Sequence, residues 1–442
     1  MGRLFGTDGI RGEVGSQVTA ELALALGRAV GHRFGGRGAH VVLGRDTRRS
    51  GQMLSAALAA GLTSTGTEVL DLGVVTTPCL VHASAEHAAG IMVSASHNPA
   101  PDNGLKVVNQ GRKVDDETEA ELEGLIADAA APIAAAENSQ LGRVRSVTAP
   151  VEAYRRHLVE AAGDAFDGLR LAIDCANGSA STIAPELFRA LGAEVTVLFA
   201  SPDGTNINEE CGSTHPERLA RTVAEAGLDI GFAMDGDADR LIAADERGGL
   251  VDGDGVMGIC ALARLANGTL RNSLLVATVM SNGGLERAVT DAGGRVIRTP
   301  VGDRHVLEAM EREDAALGGE QSGHIIFRER STTGDGLLTA IELVRAMRAA
   351  SEPLSTLAGR IPRLPQVMIN SVVRRRDDWR DDPEFAAAVD RATAEIGKRG
   401  RILVRPSGTE SKIRIMVEGD DQVEIERMAR ELAELAETRL NR

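Results

Sequence analysis

The chain has 442 residues, of which 43% are apolar and 26% charged, and it is too long for a single hydrophobic core. A net charge of −15 and an aromatic content of 2% argue against a nucleic-acid surface and against aromatic platforms for stacked bases. The four cysteines form no Cys-x-x-Cys pair, and no apolar run approaches the length of a membrane span. We therefore expect a reduced, cytoplasmic protein of about three or four domains, with no membrane or nucleic-acid partner.

Three segments of the chain repeat one layout, in which an apolar strand leads through a helical stretch to a glycine and a second strand. The first strands begin at His40, Leu171 and Leu274, and the glycines are Gly66, Gly192 and Gly293. Glycine at the end of a helix, followed by a β-branched run, is the usual transition from helix to strand. Strands that alternate with helices predict open α/β sheets, whose ligands bind at the carboxyl ends of the strands.

A third strand in each segment ends in a different polar loop. These loops are Ser94–Pro99, Asp235–Arg240 and Gly319–His324. Three unrelated surface turns are the alternative interpretation. Because each loop occupies the same place in its segment, we expect all three to lie at the carboxyl ends of strands.

The residues from about Pro365 onward break this pattern and predict a smaller α+β domain. Its strands are predicted at 366–373, 401–404 and 412–417, and its helices run from Pro383 to about Gly397 and from about Val423 to Leu440. The expected fold is three similar α/β domains with mixed sheets, followed by this domain. The predicted domains are residues 1–150, 151–253, 254–364 and 365–442.

Ser96 lies in the first loop, where an apolar strand ends and Pro99 stops regular structure. We expect its side chain to point outward, as either a turn residue or a nucleophile. Arg11 and Lys106 are candidates to offset phosphate charge near Ser96, although each could also be a solvated surface cation.

The second loop offers three carboxylates at alternate positions, Asp235, Asp237 and Asp239. They can converge on one hard cation, and oxygen ligands favour Mg²⁺ or Ca²⁺. Arg240 occupies the place where an EF-hand needs glycine, so that motif is excluded. A solvated acidic turn and the nucleophilic aspartate of a haloacid-dehalogenase-like phosphatase remain as alternatives. We favour Mg²⁺ because Arg240 suits a phosphate that bridges the metal and a guanidinium.

The third loop combines hydrogen-bonding side chains with one titratable ring. Glu320 and Ser322 suit the vicinal hydroxyls of a sugar, whereas His324 could move a proton or could be a structural histidine.

A fourth loop, Arg405–Glu410, is predicted to bind an anion. Ser407 and Thr409 offer hydroxyls, Gly408 lets backbone N–H groups approach closely, and Arg405 can grip two oxygens. A simple hairpin turn would also explain this loop.

Together these motifs resemble the α-D-phosphohexomutase family over the whole length of the chain. The matching segments, in order, are Thr7–Gly12, Ser94–Pro99, Asp235–Arg240, Gly319–His324 and Arg405–Glu410. The third loop, with Gln321, and the segment Val301–Arg304 resemble the glucosamine branch of the family. His305 departs from the tyrosine that similar proteins often have, which affects the expected contacts to the sugar.

The resemblance implies four domains around a central cleft, with a phosphoryl group carried on Ser96. Mg²⁺ would be bound by Ser96 and the three aspartates. The substrate would be bound by Arg240, Glu320, Ser322, Arg405, Ser407, Gly408 and Thr409. Lys106, Arg11 and His324 would act in catalysis.

The implied reaction interconverts glucosamine 6-phosphate and glucosamine 1-phosphate through glucosamine 1,6-bisphosphate, and it would feed the synthesis of UDP-N-acetylglucosamine and cell-wall precursors. The alternatives are a mutase of mannose or glucose phosphates, a metal-dependent sugar phosphatase and a non-catalytic sensor of sugar phosphates. The oligomeric state is open, with a homodimer as one option.

Overall fold

The computed structural model describes residues 4–6, 8–127, 133, 135–406 and 412–441. Within these residues the chain forms four sheets, and we call each sheet with its helices the first to the fourth domain.

The first domain is built on a mixed sheet with the strand order β1-β5-β4-β2-β3-β7, in which β6 extends β5. Its strands are β1 Ile10–Glu13, β2 His40–Arg45, β3 Glu68–Val74, β4 Ala89–Val93, β5 Asp102–Asn109, β6 Arg112–Lys113 and β7 Val144–Ser146. Its helices are α1 Ala20–Arg33, α2 Gly51–Ser64, α3 Thr77–Ser84 and α4 Asp116–Ala127.

The second domain has the strand order β12-β11-β10-β8-β9. Its strands are β8 Arg170–Asp174, β9 Glu194–Leu198, β10 Ile230–Met234, β11 Leu241–Asp245 and β12 Leu250–Val251. Its helices are α5 Ala149–Ala162, α6 Ala184–Ala190 and α7 Glu217–Ala226.

The third domain has the strand order β14-β13-β15-β16. Its strands are β13 Leu274–Thr278, β14 Arg295–Thr299, β15 Leu317–Gly319 and β16 Ile325–Phe327. Its helices are α8 Gly253–Ala266, α9 Gly283–Asp291, α10 Asp303–Arg312, α11 Gly336–Ala350 and α12 Leu354–Ala358.

The predicted repeat is confirmed by the register of these sheets. In each of the first three domains, three parallel strands are joined by an antiparallel strand that follows the third of them along the chain. The polar loops connect β4 to β5, β10 to β11 and β15 to β16. Gly66, Gly192 and Gly293 adopt φ of +88°, +92° and +85°, a conformation that glycine adopts without strain.

One hydrophobic core extends through the first three domains and fixes the three loops relative to one another. It joins Met92 of β4 to Phe232 of β10 and Leu317 of β15. The buried hydroxyl of Tyr154 on α5 donates to Asp335, the residue that caps α11, at 3.0 Å. A shared core of this kind resists relative movement of the elements that it connects.

The fourth domain has a core of its own under an antiparallel sheet with the order β17-β19-β18. Its elements are β17 Gln366–Val372, α13 Pro383–Ile396, β18 Gly400–Pro406, β19 Lys412–Gly419 and α14 Gln422–Arg439. The carboxylate of Asp382 accepts from the N–H groups of Glu384 and Phe385, so the predicted helix start at Asp382-Pro383 is confirmed. Within the described residues, no helix is both long and apolar enough to cross a membrane.

Candidate active site

Ser96 lies at the seam between the first and second domains. Its backbone is left-handed, with φ of +53°, and its hydroxyl donates to Oδ2 of Asp235 at 2.5 Å. The expectation that its side chain points outward is wrong, because Ser96 is completely buried. The loop does project from its own sheet, but the second domain covers it.

Two residues that sequence reasoning missed support this loop from below. Asp46 accepts a hydrogen bond from the Ser94 hydroxyl at 2.7 Å and pairs with Arg48 at 2.9 Å. Arg48 in turn donates to the backbone carbonyl of Ser96. Both residues follow β2, at the same edge of the sheet as the Ser96 loop, and this position was the signal that could have identified them.

The three aspartates of the second loop converge, with one carboxylate oxygen from each lying within 4.8 Å of the others. All three side chains are buried, which does not fit a solvated acidic turn. Asp237 accepts from Thr77 at 2.6 Å and from Lys106 at 2.7 Å. Oδ1 of Asp237 and Oδ1 of Asp239 are buried with no hydrogen-bond partner. Two buried carboxylate oxygens that accept no hydrogen bond, beside a third carboxylate, are a ligand set that fits a divalent cation.

The pKa values of Asp235 and Asp237 are shifted in opposite directions. Burial, together with the charges of Asp239 and Asp237, raises the pKa of Asp235 well above its usual range. Burial alone would raise the pKa of Asp237 too, but Lys106 outweighs it and lowers that pKa. Mutual repulsion therefore disfavours three ionised carboxylates in this cluster at once, and a bound divalent cation would relieve that repulsion.

Lys106 is buried and is not the solvated surface cation that the sequence left open. Lys106 pairs with Asp237, and a series of alternating charges runs from this pair to the third domain. Its Nζ lies 3.3 Å from Asp8, which also pairs with Lys113. Lys113 pairs with Asp303 of the third domain, and Oδ2 of Asp303 lies 3.6 Å from Nε2 of His324. The first three domains thus meet through these charges.

Two guanidinium groups complete the cationic side of the site. Arg11 pairs with Asp8, and Nε of Arg240 lies 3.8 Å from Oδ1 of Asp239. Nε of Arg11 and Nε of Arg240 are both buried without a hydrogen-bond partner. Because an unpaired buried donor is costly, these groups are suited to an anionic ligand.

The third loop contacts the second, since the backbone N–H of Leu241 donates to the carbonyl of Gly323 at 3.1 Å. Oε1 of Glu320 accepts from the N–H of Gly302 at 3.0 Å, and Ser322 is exposed. Nε2 of the buried His324 accepts from the N–H of Gly334 at 3.1 Å. Nδ1 of His324 is buried and has no hydrogen-bond partner.

The fourth predicted loop is described only at its edges. Arg405 is half-buried on β18 and lies opposite Arg414 of β19, and burial together with that second guanidinium lowers the pKa of Arg405. Nε of Arg414 is buried without a hydrogen-bond partner. Ser407, Gly408 and Thr409 lie outside the described residues, as does Thr7 of the first motif.

Four family models match the chain in consecutive order. They are the phosphoglucomutase/phosphomannomutase alpha/beta/alpha domain I at residues 2–132, domain II at 152–249, domain III at 252–364 and the C-terminal domain at 368–435. The chain belongs to the phosphoglucomutase/phosphomannomutase family. Within it, domain I carries Ser96, domain II the three aspartates and domain III the third loop.

Individual relatives agree with this assignment. The phosphoglucosamine mutase of Symbiobacterium thermophilum is 51% identical over 448 residues, covering 100% of both chains. The crystal structure of a phosphoglucomutase/phosphomannomutase family protein from Burkholderia thailandensis has a TM-score of 0.83 at 28% identity, covering 99% of this chain and 97% of its own. The N-acetylphosphoglucosamine mutase of Aspergillus fumigatus, solved with GlcNAc-6P and magnesium, shares the fold at 19% identity and a TM-score of 0.69, covering 98% and 95%.

Proposed function

We propose that the chain is a mutase that interconverts glucosamine 6-phosphate and glucosamine 1-phosphate by way of a phosphoryl group on Ser96. The observation that carries this proposal is the Ser96 hydroxyl, which lies 2.5 Å from Asp235 within a buried cluster of three aspartates. The choice of glucosamine is supported by the full-length relative at 51% identity, which is named a phosphoglucosamine mutase.

Asp235, Asp237, Asp239 and the phosphorylated Ser96 would hold Mg²⁺, the ion present with the Aspergillus fumigatus enzyme. The ion would neutralise charge on the transferring phosphoryl group. Lys106 keeps Asp237 ionised and oriented, since their contact of 2.7 Å is buried. Arg240 and Arg11 would supply the unpaired donors that bind the phosphoryl oxygens.

The reaction requires two transfers. The phosphoryl group first moves from the Ser96 oxygen to the C1 hydroxyl of glucosamine 6-phosphate, which gives glucosamine 1,6-bisphosphate. After the intermediate turns around, its 6-phosphoryl group returns to Ser96, and glucosamine 1-phosphate leaves. His324 is our candidate to move the proton of the attacking hydroxyl.

The two ends of the substrate are bound by different loops in this proposal. Glu320 and Ser322 would bind sugar hydroxyls, while Arg405, Ser407, Gly408 and Thr409 would bind the distal phosphate. Two facing arginines, Arg405 and Arg414, support an anion site at this end. Their guanidinium groups repel each other, and a bound phosphate would relieve this repulsion. A cytoplasmic location and a homodimer stay predictions.

The test is an assay of the purified chain with glucosamine 6-phosphate, Mg²⁺ and a catalytic amount of glucosamine 1,6-bisphosphate. We expect glucosamine 1-phosphate, and a higher kcat/KM for this sugar than for glucose or mannose 6-phosphate. A higher kcat/KM on glucose or mannose phosphate would assign the alternative mutase activity. Release of inorganic phosphate without isomer would indicate a phosphatase and overturn the proposal.

A further inference from the structure

Arg48 donates its hydrogen bonds to the backbone of the loop that carries Ser96 and not to the serine hydroxyl. Its side chain is completely buried. Its Nη2 donates to the carbonyls of Ser96 at 3.0 Å and Asn98 at 2.8 Å. Its Nη1 donates to the carbonyls of Pro99 at 2.6 Å and Asp102 at 3.1 Å. A single guanidinium thus donates to four backbone carbonyls between Ser96 and Asp102.

Asp46 orients this guanidinium and also reaches the loop by a second route. It accepts from Nε of Arg48 at 2.9 Å and from the Ser94 hydroxyl at 2.7 Å. The Ser94 hydroxyl accepts in turn from the backbone N–H of Ser96 at 3.0 Å. The N–H and the carbonyl of Ser96 are therefore both tied to the Asp46–Arg48 pair.

The Ser96 backbone needs this support because its left-handed conformation is unfavourable for a residue with a side chain. The same conformation directs the hydroxyl to Asp235 across the domain seam. Asn208 of the second domain donates to the carbonyls of Ser96 at 2.9 Å and Asn98 at 3.0 Å, so it shares two of the acceptors that Arg48 uses.

We propose that Arg48 is a positioning residue for phosphoryl transfer, and that with Asp46 and Ser94 it holds the Ser96 oxygen in line with the metal cluster. This inference rests on the proposed function of Ser96. Arginine is required because its planar fork reaches four carbonyls at fixed angles, whereas a lysine ammonium offers a single point charge on a flexible stem. A misplacement of the nucleophile by about 1 Å costs on the order of 100-fold in rate.

The test compares Arg48→Lys with Arg348→Lys. Arg348 also donates to two backbone carbonyls, those of Ala165 and Asp167, but it does so far along the chain from the Ser96 loop. We expect Arg48→Lys to lower kcat by about 10- to 100-fold with a nearly unchanged KM for glucosamine 6-phosphate. Arg348→Lys should keep the wild-type kcat.

A second readout separates positioning from a loss of folded protein. Intact mass after incubation with glucosamine 1,6-bisphosphate gives both the fraction of chains that accept a phosphoryl group and the rate constant of that reaction. We expect the Arg48→Lys chains to reach the wild-type fraction, but with a rate constant reduced as much as kcat. A reduced fraction with an unchanged rate constant would overturn the inference, since it would mean that Arg48 only maintains the fold.

Ser94→Ala is the variant that decides the question if Arg48→Lys does not fold, because it removes the hydroxyl that links the Ser96 N–H to Asp46 and keeps both Asp46 and Arg48. It should slow phosphorylation of Ser96 by about tenfold, and an unchanged rate constant would overturn the inference. An inactive wild-type chain would instead contradict the proposed function. Full activity in the wild type, in Arg48→Lys and in Ser94→Ala would contradict only the role of Arg48.

Discussion

The seam at Ser96 and the attachment of the fourth domain are built in different ways. At the seam, the second domain meets the first through buried contacts: Ser96 with Asp235, and Thr77 and Lys106 with Asp237. Among the described residues, the fourth domain contacts the loop between β13 and α9, and its Asp420 pairs with Arg287 of α9.

In that attachment, Arg401 donates to the carbonyls of Val279 at 2.7 Å and Ser281 at 2.6 Å. The N–H of Gly283 donates to Glu418 at 2.8 Å, and Asn282 bonds the backbone of Leu364. We interpret the first region as the one that holds the reacting groups in place. We interpret the second region as a hinge, because the fourth domain packs around a core of its own. A hinge suits a domain that must release one end of a bisphosphate and then bind the other end.

Asp237→Asn should have the largest effect, because it removes a predicted metal ligand and leaves the buried Lys106 without its closest partner. We expect at least about a 1000-fold loss of mutase activity, weaker Mg²⁺ binding by calorimetry and about 3–5 kcal/mol lower stability. Asp245→Asn, on the neighbouring strand β11, is the control and should bind Mg²⁺ normally. Wild-type Mg²⁺ affinity in Asp237→Asn would contradict the assignment of the metal site.

Asp303→Asn should have the next largest effect, because it removes the carboxylate beside Lys113 and His324. We expect kcat to fall by about 10- to 100-fold, since proton transfer by a positioned histidine is worth about 100-fold or more. Asp291→Asn, at the end of α9, is the control for the loss of one charge. An unchanged kcat in Asp303→Asn would refute a role for this carboxylate in orienting His324.

Arg401→Met should affect the attachment of the fourth domain alone. It keeps an apolar stem but removes the hydrogen bonds to Val279 and Ser281 and the ion pair with Glu418, which itself binds Gly283. We therefore expect kcat and KM to change together, each by about 3- to 10-fold. Steady-state kinetics beside Arg48→Lys makes the comparison direct, because that variant should change only kcat. The same pattern in both variants would show that the two regions do not differ in function.

The smallest predicted effect is on the pH dependence of stability at the contact between α3 and α5. Burial and the neighbouring His157 lower the pKa of His82, while burial and Arg330 lower that of His157. Glu86 and Glu160 partly oppose these shifts. Below their unfolded pKa of about 6.5, the unfolded chain binds more protons, so stability should fall as the pH drops from 7 to 5.

His157→Phe should reduce this dependence, so that Tm falls by about 1–2 °C less over the same pH range. His215→Phe, at an exposed site, should leave the wild-type slope. Thermal unfolding at several pH values measures both, and equal slopes in all three proteins would exclude the histidine pair as the cause.

The sequence predicted the fold well where local signals repeat. Gly66, Gly192 and Gly293 each marked the transition from a helix to a strand, and each polar loop followed the third strand of its segment. Asp382 and Pro383 predicted a helix start that the structure confirms.

What the sequence could not predict is which residues meet across domains. Thr77 and Lys106 contact Asp237 across 160 and 131 positions of sequence. Arg48 belongs to a charged stretch, Arg45–Arg49, whose sequence is equally consistent with a solvated turn. Only the structure shows that the Ser96 loop packs against it. Local sequence patterns did not reveal that Lys106 and Arg48 are buried.

The most direct test of the account is the intact mass of the wild-type chain and of Ser96→Ala after each is incubated with glucosamine 1,6-bisphosphate and Mg²⁺. The account predicts that the wild type gains the mass of one phosphoryl group and that Ser96→Ala gains none and has no mutase activity. Phosphorylation or turnover that persists in Ser96→Ala would contradict it.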